Sequence, residues 1–438
     1  MRRALAIALA FCCVLALVTL GASASRPQEG PRVGSAAPVT PATNTTSFLL
    51  ISPDALETTA YRDATIDVAA TVGFETTRLD GQFRQAVLDE RFSATDSMPA
   101  RRDRIEATAA RIDGRIAALV ERQAATVAAY NNGSLSGHEF LRELAHIDVA
   151  AGRLEAAVDR VAELADRQSS IEGLPAGSWA RNQALRLNPL RGPARARIAG
   201  ALRGENTVPV DDVPTGVAAI GPIREERLTP LSVYVETTRE GITLATVDEG
   251  RYYREAYLPG ERNVTGDGVD AVTDVRDRRA TLYPWAENNS EFKSQRNVRR
   301  AGISRFRFSH HHGRLTAYLD QDSGGVFAEH QRKTLARLPT VAPVNATAGD
   351  RRLLVNRTHP TGPLELRLTN RSGGPLDGTV LLDNRSIGRT GTDGHHWTVA
   401  PRGNVTVAAR ANGGVVRLGT TAAVATNRSA RHLAPASS

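Results

Sequence analysis

The chain has 438 residues and a net charge of +8, carried almost wholly by arginine, since Lys293 and Lys333 are its only lysines. That length exceeds one hydrophobic core and implies about two to four domains, while aromatics at 5% exclude the stacking surface of a single-strand nucleic-acid binder. Both cysteines, Cys12 and Cys13, fall inside the N-terminal apolar run, which excludes disulfides, zinc–thiolate sites and cysteine nucleophiles from the rest of the chain.

At the N-terminus, Arg2 and Arg3 precede an apolar run from Ala4 to Leu20 and a small-residue site at Ala22-Ser23-Ala24. Residues 1–24 therefore read as a signal peptide or signal anchor, and either places the remainder of the chain outside the cell. Membrane contact is expected only through this segment, if it is left uncleaved. Ten of the 17 asparagines stand in Asn-x-Ser/Thr glycosylation triplets: Asn44, Asn132, Asn263, Asn288, Asn345, Asn356, Asn370, Asn384, Asn404 and Asn427. Chance would supply roughly two or three, so the excess agrees with an extracellular or cell-surface location. Residues 25–46, rich in Pro, Ala, Ser and Thr, read as a linker, with a short strand at Phe48 to Ile51.

From Asp54 to Arg203 the pattern is helical. Ile105, Ala109, Ile112, Ile116, Leu119, Gln123, Thr126 and Tyr130 step by four and three residues, and so do Phe140, Leu144, Ile147, Ala151, Leu154, Val158 and Val161. Between them lies the polar turn Asn131 to Gly137, and Ser136 with Glu139 forms a capping box. A 3.5-residue repeat demands a long partner seam, which the short turn supplies as an antiparallel, coiled-coil-like hairpin. Thr65, Val68, Val72, Leu79 and Phe83 predict a packed helix upstream, and Trp179 to Leu202 predicts another, broken at Pro189 and Pro193. Arg191, Arg195, Arg197 and Arg203 form an acid-free stretch, read as a solvated face beside Glu155, Asp159, Glu163 and Asp166, or as a basic helix lying on an anionic surface. Residues 47–204 are thus a helical hairpin or bundle.

Residues 205–230 read as a Pro-bearing linker, and 231–340 as an α+β domain. Three strands of a meander are expected at 232–236, 242–247 and 252–257, a helix over Asp270 to Tyr283, and a polar loop carrying Asn288. A half-buried strand at Ile303 to Ser309 turns through His310 to Gly313 into a return strand, and Gly325 to Leu338 ends in a helix. Residues 341–430 alternate in short runs between Gly turns and read as an immunoglobulin-like or transthyretin-like β-sandwich, before a disordered tail at 431–438. The fold class is a multidomain chain: helical hairpin or bundle, α+β domain, immunoglobulin-like sandwich.

Catalytic patterns are weak. Asp322-Ser323-Gly324-Gly325 has a serine-protease look but lacks an upstream histidine motif, so a plain turn is preferred. His310-His311-His312, with His330 opposite, could ligate a metal only if the side chains converged, and adjacent histidines read as an exposed turn. His395-His396 follows the hairpin turn at Asp393-Gly394. Asp267, Asp270 and Asp274 lack calcium-loop spacing, so capping by Asp267 or Asp270 is preferred. No catalytic, metal or cofactor residue is assigned, and no cofactor is expected.

Gly192 to Arg195, Ala199 to Gly204, Val233 to Thr237, Gly241 to Thr246 and Arg254 to Tyr257 resemble segments of uncharacterised haloarchaeal exported surface proteins. Those proteins pair a helical region with an α+β domain, both of unknown function. The resemblance spans residues 48 to 338 and implies an archaeal envelope location without an assigned activity; the chain departs from it in being basic. Leu315 to Val326 is similar to PepSY-like domains, which implies peptidase modulation, and Gly378 to Val399 is similar to carboxypeptidase regulatory-like sandwiches. The reading is a non-enzymatic, glycosylated surface protein with an interaction or scaffolding role; a peptidase-modulating module and a hydrolase with an unrecognised site stand as alternatives. Expected partners are envelope proteins or anionic surface polymers, which guanidinium groups grip bidentately, and not nucleic acid.

Overall fold

The computed structural model describes residues 39–167, 176–205, 207–209, 226–228, 230–262, 274–298, 301–339 and 341–421. The signal segment, the centre of the 205–230 linker, Asp267, Asp270, Asn263, Asn427 and the tail lie outside the described residues.

The proposed N-terminal linker is partly folded. Strands β1 (Val39–Ala42) and β2 (Thr45–Leu49) form an antiparallel hairpin whose turn holds Asn44 at φ 55°. Phe48, Leu49 and Ile51 are buried, so apolar burial, not the Pro/Thr composition, decides this segment. Strand β3 (Thr58–Ala64) comes next, within the stretch expected to be helical.

Five helices succeed it: α1 (Val68–Ser93), α2 (Met98–Asn131), α3 (Gly137–Asp166), α4 (Ala176–Leu187) and α5 (Pro193–Leu202). The α2–α3 hairpin forms as its periodicity requires, and all fifteen seam residues are buried. Ser136 Oγ accepts from Glu139 N while Glu139 accepts from Ser136 N, which completes the capping box. Pro189 lies in a 3-10 turn and Pro193 opens α5, where its missing N–H costs nothing. Helix α1 exists, but its apolar stripe does not pack. Val68, Val72, Leu79 and Phe83 are 57–72% exposed, and Ala70, Phe74 and Phe92 bury in their place.

The short antiparallel pair β4 (Thr207–Pro209) and β5 (Glu226–Leu228) lies within the segment 205–230 read as a linker. The expected meander is β6 (Leu231–Thr237), β7 (Ile242–Asp248) and β8 (Arg251–Tyr257). Helices α6 (Val275–Leu282) and α7 (Pro284–Asn289) then precede β9 (Ser290–Val298), β10 (Ile303–His310), β11 (Gly313–Asp320) and β12 (Val326–Thr334). Asn288 therefore sits on a short helix, and the helix expected within 325–338 is β12 with a single 3-10 turn after it.

The eight-stranded sheet runs β3-β6-β7-β8-β12-β11-β10-β9, every pairing antiparallel. Because β3 is one edge, the helical and α+β regions are not separate domains. Phe74, Val127, Phe140, Leu144, Ile198 and Leu202 of the helices share one core with Val233, Val235, Ile242 and Leu244 of the sheet. A second core joins Leu49 of the hairpin and Ile51 just after it to Tyr283, Phe306, Phe308, Leu315 and Leu319.

The C-terminal sandwich is as expected. One sheet is β13 (Val341–Ala348), β14 (Arg351–Arg357), β15 (Pro363–Asn370) and β18 (His395–Val399); the other is β17 (Arg385–Arg389), β16 (Thr379–Leu382), β19 (Asn404–Ala411) and β20 (Gly414–Thr421). Leu353, Val355, Leu366, Leu368, Val380 and Val407 interdigitate between them.

Candidate functional site

The motifs singled out in the sequence resolve into structural roles. Ser323 Oγ donates to Glu261 O at 3.0 Å, and Asp320 Oδ1 accepts from the amides of Asp322 and Ser323, so the Asp-Ser-Gly-Gly segment is a tied turn between β11 and β12. His310 and His312 are buried, not exposed, and pack on Trp285 at ring distances of 5.1 and 4.9 Å. Burial first, then the charge of Lys333, pulls His310 down to about 3. His330 packs instead against Tyr318. Among the described residues no group of three or more His, Asp or Glu could hold a metal. Asp274 caps α6, accepting from the amides of Arg276 and Asp277, while Asp267 and Asp270 lie outside the described residues. His395 faces Glu365 at 3.3 Å, and the His396 ring lies 3.1 Å from Arg389 O.

The acid-free arginine stretch is paired with acids, and one of its four arginines is buried. Arg191 pairs with Glu155 as expected, Arg197 pairs with Asp248 on the sheet, and Arg203 lies 3.3 Å from Glu205. Arg195 is 1% exposed; its Nε donates to Glu255 Oε1 at 2.7 Å and its Nη1 donates to Gln123 Oε1 at 2.6 Å. This explains a glutamine in the α2 seam. Burial pushes the Glu255 carboxyl up, and Arg195 opposes that shift.

A second buried charge cluster lies under the N-terminal hairpin. Glu329 accepts from Leu49 N (3.0 Å), Arg254 Nη1 (3.0 Å), Tyr283 Oη (2.8 Å) and Gln331 Nε2 (2.9 Å), so the carboxylate is saturated. Lys333 lies 3.5 Å from His359 Nε2, and burial lowers its ammonium to about 7. His359 stacks on Phe48 at 4.3 Å. At the sandwich, Arg402 grips Glu236 through two bonds of 2.9 and 3.0 Å and donates to Ile51 O at 2.7 Å. Tyr252 Oη donates to Thr361 O at 2.6 Å, and Tyr61 Oη donates to Val399 O. Hairpin, sheet and sandwich thus share one framework of desolvated polar bonds.

An accessible concave feature lies elsewhere among the described residues. Helices α1 and α2 both pack on α3 and leave between them a groove of about 520 Å³. Ala150, Leu154 and Ala157 of α3 form its floor, with Val87, Leu88, Ile112 and Leu119 on the walls. Seven arginines line it, at 84, 91, 104, 111, 115, 153 and 160, against the single carboxylate Asp80. Arg84 pairs with Asp80 at 2.6 Å, and Arg160 pairs with Asp89 and Glu163. The other five form no ion pair among the described residues. Partial burial first, then Arg84, holds the Arg115 guanidinium below its ordinary value. Sequence reading missed this site because its arginines come from three helices; the signal was their recurrence beside an apolar seam.

Of the glycosylation triplets, Asn44, Asn132, Asn288, Asn345, Asn384 and Asn404 are exposed. Asn356 and Asn370 are half-buried: Asn356 Nδ2 donates to Glu365 at 2.6 Å, and Asn370 Oδ1 accepts from Gly374 N at 2.7 Å. No helix among the described residues is long and apolar enough to cross a membrane.

Three family models match the chain. Residues 1–207 match a domain of unknown function (DUF7096), residues 233–339 a family of unknown function (DUF7094), and residues 343–418 an archaeal fibronectin-III type-like domain. The molecule is therefore a multidomain chain: a helical region, a large β-sheet and a fibronectin-III-like sandwich. No curated protein and no solved structure matches it.

Proposed function

We propose that the chain is a non-enzymatic, glycosylated protein of the archaeal cell surface, with an interaction or scaffolding role. The observation that carries this reading is the use to which the buried charges are put. Arg195–Glu255 ties α5 to β8, Arg402–Glu236 ties the sandwich to β6, and Arg254–Glu329 bridges the neighbouring strands β8 and β12 beneath the hairpin; all three carboxylates are buried. A catalytic carboxylate or lysine must reach a substrate; Glu329 and Lys333 are spent holding the hairpin and sandwich to the sheet. Six exposed glycosylation triplets, on turns, strands and helix ends, support an outward-facing surface, and a fibronectin-III-like sandwich suits an adhesive spacer. Purified protein incubated with peptide, glycan and ester libraries should leave them unchanged. Saturable turnover abolished by Glu329→Gln or Lys333→Met, with the fold intact, would replace this reading with that of a hydrolase.

A further inference from the structure

We propose that the groove between α1, α2 and α3 receives an acidic amphipathic helix of a partner protein, which supplies a fourth helix to this layer. The proposal rests on the interaction reading above and names the chemistry of the partner. Three observations converge. The groove runs from Thr77 to Arg91 on α1 and from Arg104 to Leu119 on α2, which at 1.5 Å per residue is about 21 Å, the length of a four-turn helix. Its floor is apolar and small, with Ala150 and Ala157 beside Leu154, so a helix axis can approach to the usual 8–10 Å or so.

The rims decide the charge of the occupant. Arg91, Arg104, Arg111, Arg115 and Arg153 line the groove without an ion pair, and its single carboxylate, Asp80, is already bonded to Arg84, whereas Arg195 and Arg254 in the core are each paired. Bringing them together costs repulsion, which acidic flanks on an incoming helix would offset, as residues flanking an apolar seam do in paired helices. Phe83, 69% exposed, lines the groove with Val87, where such a helix would cover it. A bilayer is flat, and the recessed floor between two helices would stay out of its reach, so the concavity favours a helix over anionic lipid.

The test uses the full chain and three labelled 21-residue probes, read by fluorescence anisotropy at 0.15 M salt. One has leucines along one face flanked by glutamates, one is the scrambled peptide, and one carries lysine flanks. Vesicles of phosphatidylcholine with phosphatidylglycerol are run in parallel. The amphipathic acidic probe should bind saturably at micromolar concentration, at least tenfold more tightly than the scramble. Arg104→Glu with Arg115→Glu should cost tenfold or more while leaving the melting temperature unchanged, and should narrow the preference for the acidic over the lysine-flanked probe. No saturable binding, or equal binding of the scramble, would overturn the proposal. So would vesicle binding that falls in the double variant when peptide binding is absent. Turnover of a library substrate would sink the non-enzymatic reading and leave the groove result standing, so the two failures are distinguishable.

Discussion

Gly192 illustrates how one residue can be fixed by a distant charge. Its φ of −168° is ordinary extended backbone, so the requirement is one of space. A Cβ there would lie 1.6 Å from Glu255 Oε2, inside the carboxylate that holds Arg195. Glu255 also accepts from the amides of Ala194 and Arg195 at the start of α5, so it cannot move aside without breaking three contacts. Gly192→Ala should therefore disrupt one side of a buried ion pair, a loss of about 3–5 kcal/mol. The measurement is the urea midpoint at unchanged slope. A loss below about 0.5 kcal/mol would mean that the carboxylate relocates freely. The sequence shows Gly192-Pro193 as the start of a helix, but the reason for the glycine lies on β8 and has no local signature.

At the scale of elements, the α2–α3 hairpin separates core from turn. Leu144 packs between α3 and the sheet, and Ile147 packs within the helical layer. Each →Ala change should cost about 2–5 kcal/mol by opening a cavity. Three residues inserted after Gly133, which sits at φ 79° on an exposed turn, should cost far less. Chemical denaturation of the three variants checks this; an insertion as damaging as Leu144→Ala would show that the turn, not the seam, sets the pairing. The hairpin was legible because a 3.5-residue period and a capping box are local signals. The fate of α1 was not. Periodicity shows that Val68, Val72, Leu79 and Phe83 share a face, but whether anything covers that face depends on neighbours distant in sequence. Strand β9 was hidden for the opposite reason: Ser290 to Val298 is polar and without alternation, and it is a strand only because β10 offers an edge. The groove was illegible for the same cause as α1, since its arginines meet only after three helices are placed.

For the whole molecule, the polar junctions predict how it unfolds. Sequence composition divides the chain into a helical region, an α+β domain and a sandwich joined by linkers, and modules joined in that way would melt separately. The structure replaces the first boundary with a shared core and an edge strand, β3, and the second with buried bonds. Glu236 is fully buried, so its guanidinium partner Arg402 is the charge that keeps the sandwich attached to β6. With Tyr252 on Thr361 and His359 on Phe48, the junction couples the sandwich to the sheet and to the N-terminal hairpin. Calorimetry of the full chain should accordingly show one transition spanning helices, sheet and sandwich, with calorimetric and van't Hoff enthalpies equal. Arg402→Ala strands the buried Glu236 carboxylate, which costs about 3–5 kcal/mol. Because that cost falls on the junction and not on the sandwich core of Leu353, Leu366 and Val407, the variant should show two transitions, the sandwich melting on its own. Two transitions already present in the unmodified protein would mean that these bonds position the sandwich without coupling its stability to the sheet.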